Sequence, residues 1–350
     1  MDAGNNSLSR SGFPSLSLAR FALVNGFLLI LLVIAMTAGI IIGPGNLDLG
    51  RVFPLDPDTN PHAAILLYTR LDRVWLAALV GAALSVVGVA FQALLRNPLA
   101  DPFVMGVSGG AALGGTLAMV VFSGAAQGLA LQGPAAFAGA LLATLLIYRV
   151  GRVGGRLDAT TILLVGVVFN AFASAVITFL KTVVSAQKTQ EVLGWLMGII
   201  TDHDLSTLAW LTPGMLAGMV VLWFTATGMN ALSLGESGAL NLGVDVERLK
   251  IVVFFAASLL VGLAVCVTGL VGFVGLMVPH VCRLVLGPDH RLLIPASALA
   301  GASFLVLADL ASRMAFLAIG RELPVGVITA FVGGPFFLLL LRRRHQRAFV

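Results

Sequence analysis

Residues 92–115 read QALLRNPLADPFVMGVSGGAALGG, and this stretch decides the fold because it turns one apolar run into another. Asn97 and Asp101 each precede a proline, which disfavours the helical conformation at both positions, so a first helix ends here. Asp101 can then cap a second helix that begins at Pro102. Three glycines recur every four residues in that helix: Gly106, Gly110 and Gly114. A face without side chains lets another helix approach closely in lipid, so the stretch predicts a tight hairpin of two membrane helices.

The composition of the chain is that of a membrane protein. Of its residues, 59% are hydrophobic and 11% are charged, whereas about 25% of the residues of a soluble domain are charged. Apolar runs long enough to cross a bilayer recur from end to end and leave no room for a sizeable soluble domain. The first run is longer than a signal-peptide core and lacks a cleavage site, so we expect it to be retained.

The apolar runs predict an all-α polytopic membrane protein with about ten transmembrane helices. The predicted spans are 21–42, 73–95, 102–122, 134–149, 160–183, 205–227, 251–271, 272–286, 293–311 and 325–341. We expect a cytoplasmic tail at 1–20, one permease domain at 21–341 and a basic cytoplasmic tail at 342–350. With the N-terminus inside, fourteen of the 21 lysines and arginines lie on the inner side. This bias predicts that both termini are cytoplasmic.

A weak internal repeat relates the two halves of the chain. A shift of 181 residues aligns identical residues of spans two and seven, including Gly81 with Gly262 and Pro98 with Pro279. The copies, spans 2–5 and 7–10, are five spans apart and therefore inverted. Inverted repeats with a pathway between them are a transporter architecture. So few identities in apolar sequence also arise by chance, and both explanations stay open.

Four segments resemble the FecCD-type permease subunits of binding-protein-dependent ABC importers. They read RLDRVWLAALVGAALSVVGVAFQALLRNPLADPFVMGVSGGAALGG, LSLGESGALNLGV, GLVGFVGLMVPHVCRLVLGPDHR and RELPVGVITAFVGGPFFLLLLRRR. The resemblance covers the chain from about residue 65 onward. It implies a multi-pass protein of the inner (cytoplasmic) membrane that moves a ferric siderophore, cobalamin or haem by alternating access. The implied partners are a second copy of the chain, two cytoplasmic ATP-binding subunits and an external solute-binding protein.

The polar segment 229–250 is the predicted point of coupling to ATP hydrolysis. The chain has no GxxxxGK[ST] motif, because none of its three lysines follows a glycine, so it is not expected to be an enzyme. On the residues alone, an ordinary solvated loop would be the better interpretation of 229–250. The resemblance instead assigns ATPase coupling to Leu234, Gly235, Glu236, Ala239, Leu242 and Gly243.

Three arginines are predicted on the outer side, against the charge bias: Arg70, Arg73 and Arg313. Arginines at span ends commonly reach for lipid headgroups. The resemblance implies that they dock carboxylates of the solute-binding protein, a contact that suits charge-assisted pairs. Asp72 stands where the family usually has proline, and its charge is expected to weaken that docking.

The resemblance also places a cytoplasmic gate and a pathway. The gate residues are Asn97, Leu99 and Thr160. Small and polar residues four apart in span five are the candidate pathway lining: Gly166, Asn170, Ser174 and Thr178. Helix packing explains such a stripe as well, and it is the preferred explanation for Gly326, Ala330 and Gly334 in span ten.

No metal site or cofactor is expected in this subunit. Cys266 and Cys282 have neither disulfide nor metal spacing, and His280 has no partner at ligand spacing. Asp309 and Arg313 stand four apart and are best explained as a structural ion pair. The alternative function is an ion-coupled secondary transporter. It would need a relay of membrane carboxylates, and only Asp309 lies near a span interior.

Overall fold

The computed structural model describes residues 16–44, 48–122, 125–201 and 205–348, and these are almost entirely helical. The helices are α1 (Leu18–Ile41), α2 (Pro61–Leu94), α3 (Val107–Val121), α4 (Ala125–Val150), α5 (Ala159–Val183), α6 (Ala186–Leu196), α7 (Leu205–Phe224), α8 (Ala226–Leu232), α9 (Glu236–Asn241), α10 (Val246–Thr268), α11 (Val274–Leu286), α12 (His290–Ile319) and α13 (Val325–Ala348). Strands β1 (Arg152–Val153) and β2 (Arg156–Leu157) form an antiparallel hairpin. Most of the predicted N-terminal tail, and the last two residues of the C-terminal tail, lie outside the described residues.

The predicted all-α polytopic fold is confirmed. Each of the ten predicted spans coincides with a helix, and α6, α8 and α9 are short additional helices. Among the described residues, seven helices are long and apolar enough to cross a membrane, whereas α3, α11 and the apolar part of α13 are shorter. How many of the ten cross the bilayer completely, and in which direction, remains a prediction.

Helix α2 begins well before its predicted start at residue 73. Asn60 caps it by accepting a hydrogen bond from the backbone N–H of His62, and Pro61 occupies its first position. Its early part, Ile65–Leu71, is a π-helical stretch that carries Arg70. Arg70, the one charged residue of this stretch, is buried, so the helix extends past the predicted start of the span.

The turn between α2 and α3 corrects one prediction. The Asp101 side chain accepts a hydrogen bond from the Phe103 N–H at 2.9 Å, as expected of a cap, but the capped element is only the 3₁₀ turn Pro102–Met105. Gly106 has a φ of 87° and ends that turn, so it lies outside helix α3. A Cβ on Gly110 or Gly114 would overlap the α4 backbone. The predicted close helix approach therefore holds for these two glycines.

The segments predicted to be cytoplasmic gather at one end of the bundle, the inner end. Arg20 before span one donates a 2.6 Å hydrogen bond to the Leu286 carbonyl after span eight. Likewise, Lys250 at the start of α10 donates to the Leu157 carbonyl before α5. The opposite, outer end holds the contacts of Arg70 with the carbonyls that follow α1. These contacts join segments that the predicted order of spans places on the same side.

The helix contacts agree with an inverted repeat. Gly81 of α2 packs against the Gly301 carbonyl of α12, and its aligned partner Gly262 of α10 packs against Ala140 of α4. Span two thus meets span nine as span seven meets span four, which is what two inverted copies would give. The aligned breaks also meet, because His280 Nδ1, next to Pro279, lies 3.3 Å from the Pro98 carbonyl oxygen.

Helix α1 lies outside the repeat and is held by contacts near both ends and by its second half, where Leu32, Met36 and Ile40 pack against the bundle. Its buried residues are Ala35 and Gly39. Arg20 binds the α11 end at one side of the bundle, and Arg313 Nη2 of α12 donates to the Gly39 carbonyl at 2.9 Å near the other. The middle of α1 has no buried side chain before Ala35.

Candidate functional site

The predicted coupling segment folds as two short helices, α8 and α9, at the inner end. Gly235 and Gly243 have φ angles of 95° and 80°, which only glycine adopts without strain, and they bracket α9. Ala239, within α9, is fully buried, and its carbonyl accepts a hydrogen bond from the Val244 N–H. Both glycines and Ala239 are therefore needed to shape this segment.

Two of the predicted coupling residues are exposed leucines. Leu234 is 69% exposed and Leu242 is 64% exposed. They flank α9 among polar neighbours such as Ser233 and Asn241. An apolar patch with a polar rim marks a surface for another protein.

An ion pair between Glu236 and Lys250 also holds this segment, and the sequence did not reveal it. The Lys250 ammonium lies 2.6 Å from Glu236 Oε1 and donates a second hydrogen bond to the Leu157 carbonyl at 3.0 Å. Both carboxylate oxygens of Glu247 accept the Leu157 N–H at 3.0 Å. Leu157 is about 90 residues away from Glu247 and Lys250, so these contacts leave no local sequence signal.

A second polar cluster ties α8 to the start of α12. Asn230 Nδ2 donates to Asp289 Oδ1 at 2.8 Å, and Asn230 Oδ1 accepts the His290 backbone N–H at 2.9 Å. Side-chain hydrogen bonds from Arg291, aided by the one from Asn230, outweigh partial burial and lower the Asp289 pKa to about 2. Asp289 therefore stays ionised at neutral pH, caps α12 and anchors the coupling segment.

The predicted gate residues lie in two places at the inner end. Asn97 Oδ1 accepts the Leu99 N–H at 3.0 Å and shapes the turn after α2. Leu99 lines a small cavity with His280 of α11 and Phe336 of α13. Thr160 is exposed on the first turn of α5. Leu99 is thus at the meeting point of spans eight and ten.

The α5 stripe divides into two parts. A Cβ on Gly166 would overlap the backbone of Met105, and Asn170 Nδ2 donates to the Phe103 carbonyl at 2.8 Å. These two residues hold α5 against the turn before α3, which is the helix-packing explanation. Ser174 and Thr178 are exposed, so a pathway role stays a prediction for them. Of the small residues predicted to pack in span ten, Gly326 packs tightly against Met197, whereas a Cβ on Gly334 would meet nothing within 4 Å.

The three arginines predicted to dock a binding protein form one buried cluster at the outer end. Arg73 Nε and Arg313 Nε pair with the two oxygens of Asp309 at 2.9 and 3.0 Å, and the Asp309 side chain is 1% exposed. Arg70 Nη1 donates to the Ile41 carbonyl at 2.7 Å. The exposed member is Glu322, whose side chain is 40% exposed and lies 3.0 Å from Arg73 Nη1.

This arrangement changes how the arginines are interpreted. Their charges point into the fold, where Asp309 compensates two of them, so the predicted structural pair of Asp309 and Arg313 is confirmed and extended. Among the described residues, the carboxylates that pair with Arg73 are Asp309 and Glu322, and Asp72 has no ion pair. Asp72 therefore does not provide the local neutralisation that its position suggested.

A separate cavity of about 1050 Å³ lies between α4, α6, α7 and α10. Its lining is largely aromatic and apolar and includes Phe137, Trp195 and Trp210, with the Glu191 carboxylate among them. Cys266 also lines it, and both cysteines of the chain are free and buried. No cluster of His, Cys, Asp and Glu within the described ranges has the composition of a metal site.

Comparison with known proteins decides the family. A sequence model of the FecCD transport family matches residues 29–343. The chain belongs to this family. It is 42% identical over 303 residues to the cobalamin import system permease protein BtuC of Halobacterium salinarum, covering 86% of this chain and 80% of that protein. It is 38% identical over 332 residues to the hemin transport system permease protein HmuU of Yersinia pestis, covering 93% and 97%.

A solved structure gives the same result. An inward-facing permease of a metal-chelate type ABC transporter aligns over 92% of this chain and 99% of its own, with a TM-score of 0.79 and 28% identity. The FecCD chain described here is therefore a permease subunit of an ABC importer, a multi-pass protein of the inner (cytoplasmic) membrane. It is not itself an enzyme, and it works with ATP-binding and substrate-binding partners. An ion-coupled secondary transporter is not favoured.

Proposed function

We propose that this FecCD permease forms a homodimer that imports a bulky chelate, namely a ferric siderophore, cobalamin or haem, by alternating access. Two cytoplasmic subunits hydrolyse ATP, and an external solute-binding protein delivers the cargo. The cargo class is supported by the names of the relatives, one a cobalamin and one a hemin permease. The subunit itself holds no cofactor and makes or breaks no bond.

The observation that carries this proposal is the exposed apolar edge of α9. Leu234 and Leu242 project beside the Glu236–Lys250 ion pair at the end where the basic residues place the cytoplasm. A protein surface of this kind fits the docking of an ATP-binding subunit. ATP-driven closure of the two partners would then move segment 229–250. This movement would change the side of the membrane to which a translocation cavity on the two-fold axis of the dimer is open.

The pathway and gate are proposed on the two-fold axis. Ser174 and Thr178 expose hydroxyl groups along α5, and polar groups on a membrane helix are best satisfied by another helix or by water. A second copy of α5 across the axis would provide the neighbouring helix, with water between the two copies. Asn97, Leu99 and Thr160 are at the cytoplasmic mouth of this arrangement.

At the outer end we propose that the arginine cluster is the base of the docking surface for the binding protein. Arg73 is the member within reach of an incoming carboxylate, because its Nη1 already pairs with the exposed Glu322. Arg70 and Arg313 support it from below by holding the end of α1. The tails 1–20 and 342–350 are proposed to lie in the cytoplasm.

Uptake measurements test the proposal directly. Cells lacking this chain are compared with complemented cells for uptake of labelled ferric siderophores, cobalamin and haem, with and without ATP depletion. Loss of one ATP-dependent uptake supports the proposal and names the cargo. Loss of an uptake that persists without ATP would contradict it.

The α9 contact has its own test. Leu234→Glu and Leu242→Glu should each abolish co-purification of the ATP-binding subunit, because a buried unpaired carboxylate costs several kcal/mol. Leu55→Glu is the matched control, since Leu55 is 50% exposed in the outer loop. Retained co-purification by both α9 variants would show that the ATP-binding subunit docks elsewhere.

A further inference from the structure

The β1–β2 hairpin between α4 and α5 is held at one residue, Leu157, through both its backbone N–H and its backbone carbonyl. Glu247 accepts the Leu157 N–H with both carboxylate oxygens, and Lys250 donates to the Leu157 carbonyl. The Leu157 side chain is itself buried. Since Glu247 and Lys250 stand three apart at the start of α10, one side of this helix end holds both backbone groups of Leu157.

Leu157 lies directly before the cap of α5, which we call the gate helix because its first turn carries the proposed gate residue Thr160. Asp158 follows Leu157 and caps α5 by accepting hydrogen bonds from the Thr161 N–H and hydroxyl, both at 2.7 Å. These hydrogen bonds, with a smaller contribution from the nearby Lys250 charge, lower the Asp158 pKa. The cap stays ionised and rigid, so a displacement of Leu157 carries the first turn of α5, including Thr160.

The other hydrogen bond of Lys250 goes to the coupling helix. Its ammonium is 2.6 Å from Glu236 Oε1 at the start of α9, and the Lys250 side chain is only 5% exposed. A buried ammonium must keep its partners, because an unpaired charge in the interior is strongly unfavourable. When α9 shifts, Lys250 either follows Glu236 or loses its main counter-charge, and in both cases the Leu157 contact changes.

We propose that Lys250 and Glu247 are positioning residues that transmit movement of the coupling helix α9 to the start of the gate helix α5. This inference rests on the proposed coupling and gating roles of these two elements and adds the connection between them. Neither residue touches the cargo or ATP. Their function is to make the hairpin and α9 move as one unit with the start of α10.

The test uses the complete transporter in proteoliposomes, with its ATP-binding subunits and loaded binding protein. Lys250→Met removes the charge but keeps the length of the chain, and Glu247→Ala removes the acceptor of the Leu157 N–H. In both variants ATP hydrolysis should stay within roughly twofold of the unmutated complex while cargo transported per ATP falls about tenfold, a usual coupling magnitude. Lys250→Arg should restore most of that ratio.

A distance measurement separates transmission from a merely structural role. Spin labels at Thr160→Cys in both copies should change their separation on ATP binding in the unmutated complex and remain unchanged in the Lys250→Met complex. Lys188→Met is the matched control, because Lys188 also pairs with a carboxylate, Glu191, at 2.8 Å but lies on α6. It should behave as the unmutated complex.

The outcomes distinguish the two proposals. If Lys250→Met and Glu247→Ala complexes assemble, transport normally and still change the Thr160 separation, the transmission role is wrong and the importer proposal stands. If the unmutated complex does not transport on ATP, both are wrong. If Lys250→Met fails to assemble, the Glu236→Gln and Glu247→Ala pair decides. Their effects on transport per ATP should be non-additive if they act through one path, and additive effects would overturn it.

Discussion

The buried carboxylate of Asp309 gives the sharpest stability prediction. It is shared between Arg73 and Arg313, which come from α2 and α12, and its side chain is almost completely inaccessible. Asp309→Ala would leave two guanidinium groups close together in the outer end of the bundle without their common counter-charge. We therefore expect this variant to fold but to unfold at a clearly lower temperature.

The magnitude follows from the contacts that are lost. Two charge-assisted hydrogen bonds of 2.9 and 3.0 Å disappear, each worth about 1.5–3 kcal/mol. Glu322 still pairs with Arg73, and the Gly39 carbonyl still binds Arg313, so the loss lies at the lower end of the sum. The expected loss of about 3–4 kcal/mol agrees with breaking a buried ion pair. It corresponds to a fall in Tm of roughly 4–6 °C for a chain of this length.

The two cysteines provide the assay. Cys266 and Cys282 are the only cysteines in the sequence, and both are free and buried. In mild detergent, a thiol-reactive fluorophore should therefore label them mainly when the helices separate on heating. Labelling is followed during a temperature ramp for the unmutated chain, Asp309→Ala and a control.

Glu191→Ala is the control, because Glu191 belongs to an ion pair of similar length, 2.8 Å, but its side chain is 42% exposed. Exposed pairs contribute less than about 1 kcal/mol, so its Tm should hardly move. If Asp309→Ala labels at the same temperature as Glu191→Ala, the arginine cluster does not hold α2 and α12 together. A combined replacement of Arg73, Asp309 and Arg313 by apolar residues should recover most of the loss.

Two further predictions concern the ends of the bundle. Glu322→Gln removes the exposed carboxylate that occupies Arg73, so the solute-binding protein should bind several-fold more tightly at low salt, as charge complementarity predicts. Surface plasmon resonance on the assembled transporter measures this, and weaker binding would mean that Glu322 holds Arg73 in its docking position. At the inner end, the folded-state pKa of Asp289 is about 2, below its unfolded value, so its contribution to stability is present above pH 4 and is lost as the pH falls from about 4 towards 2. The Tm of the unmutated chain should therefore fall across this window more steeply than that of Asp289→Asn, and parallel pH profiles would refute the assignment.

The helices could be predicted from the sequence because a bilayer imposes a simple rule. Backbone groups in lipid must be satisfied within the segment, so long apolar runs become helices. The runs at 160–183 and 251–271 correspond closely to α5 and α10. Where a helix carries charge, as α2 does at Arg70, the rule gave a start that was too late.

Local backbone breaks were predicted less well. The proline and aspartate signals located the turn after α2, and Asp101 caps as expected. The spacing of Gly106 from Gly110 suggested one continuous helix, but spacing carries no information on the sign of φ. Gly106 has a left-handed φ, and an added Cβ there would overlap Ile147 and Gly166, which are distant in sequence.

The charged residues of the site were the least predictable. The sequence placed Arg73 at the outer end of its span, and the structure agrees. It did not show that Asp309, 236 residues later, compensates that charge. The same holds for Lys250, whose partner Glu236 is near in sequence but whose contact with Leu157 is not. Such pairs depend on tertiary packing and leave no pattern that a single sequence reveals.

The attachment of α1 has a consequence for how the chain tolerates change. Because this helix is bound through backbone carbonyls that accept from Arg70 and Arg313, the identity of its own side chains matters little there. Ala35 and Gly39 are its fully buried residues, and Leu32, Met36 and Ile40 also pack against the bundle. An unrelated apolar segment of equal length that keeps these five positions and Arg20 should serve in its place. Helix α1 is therefore the natural point for grafting a foreign membrane anchor or a reporter onto this permease.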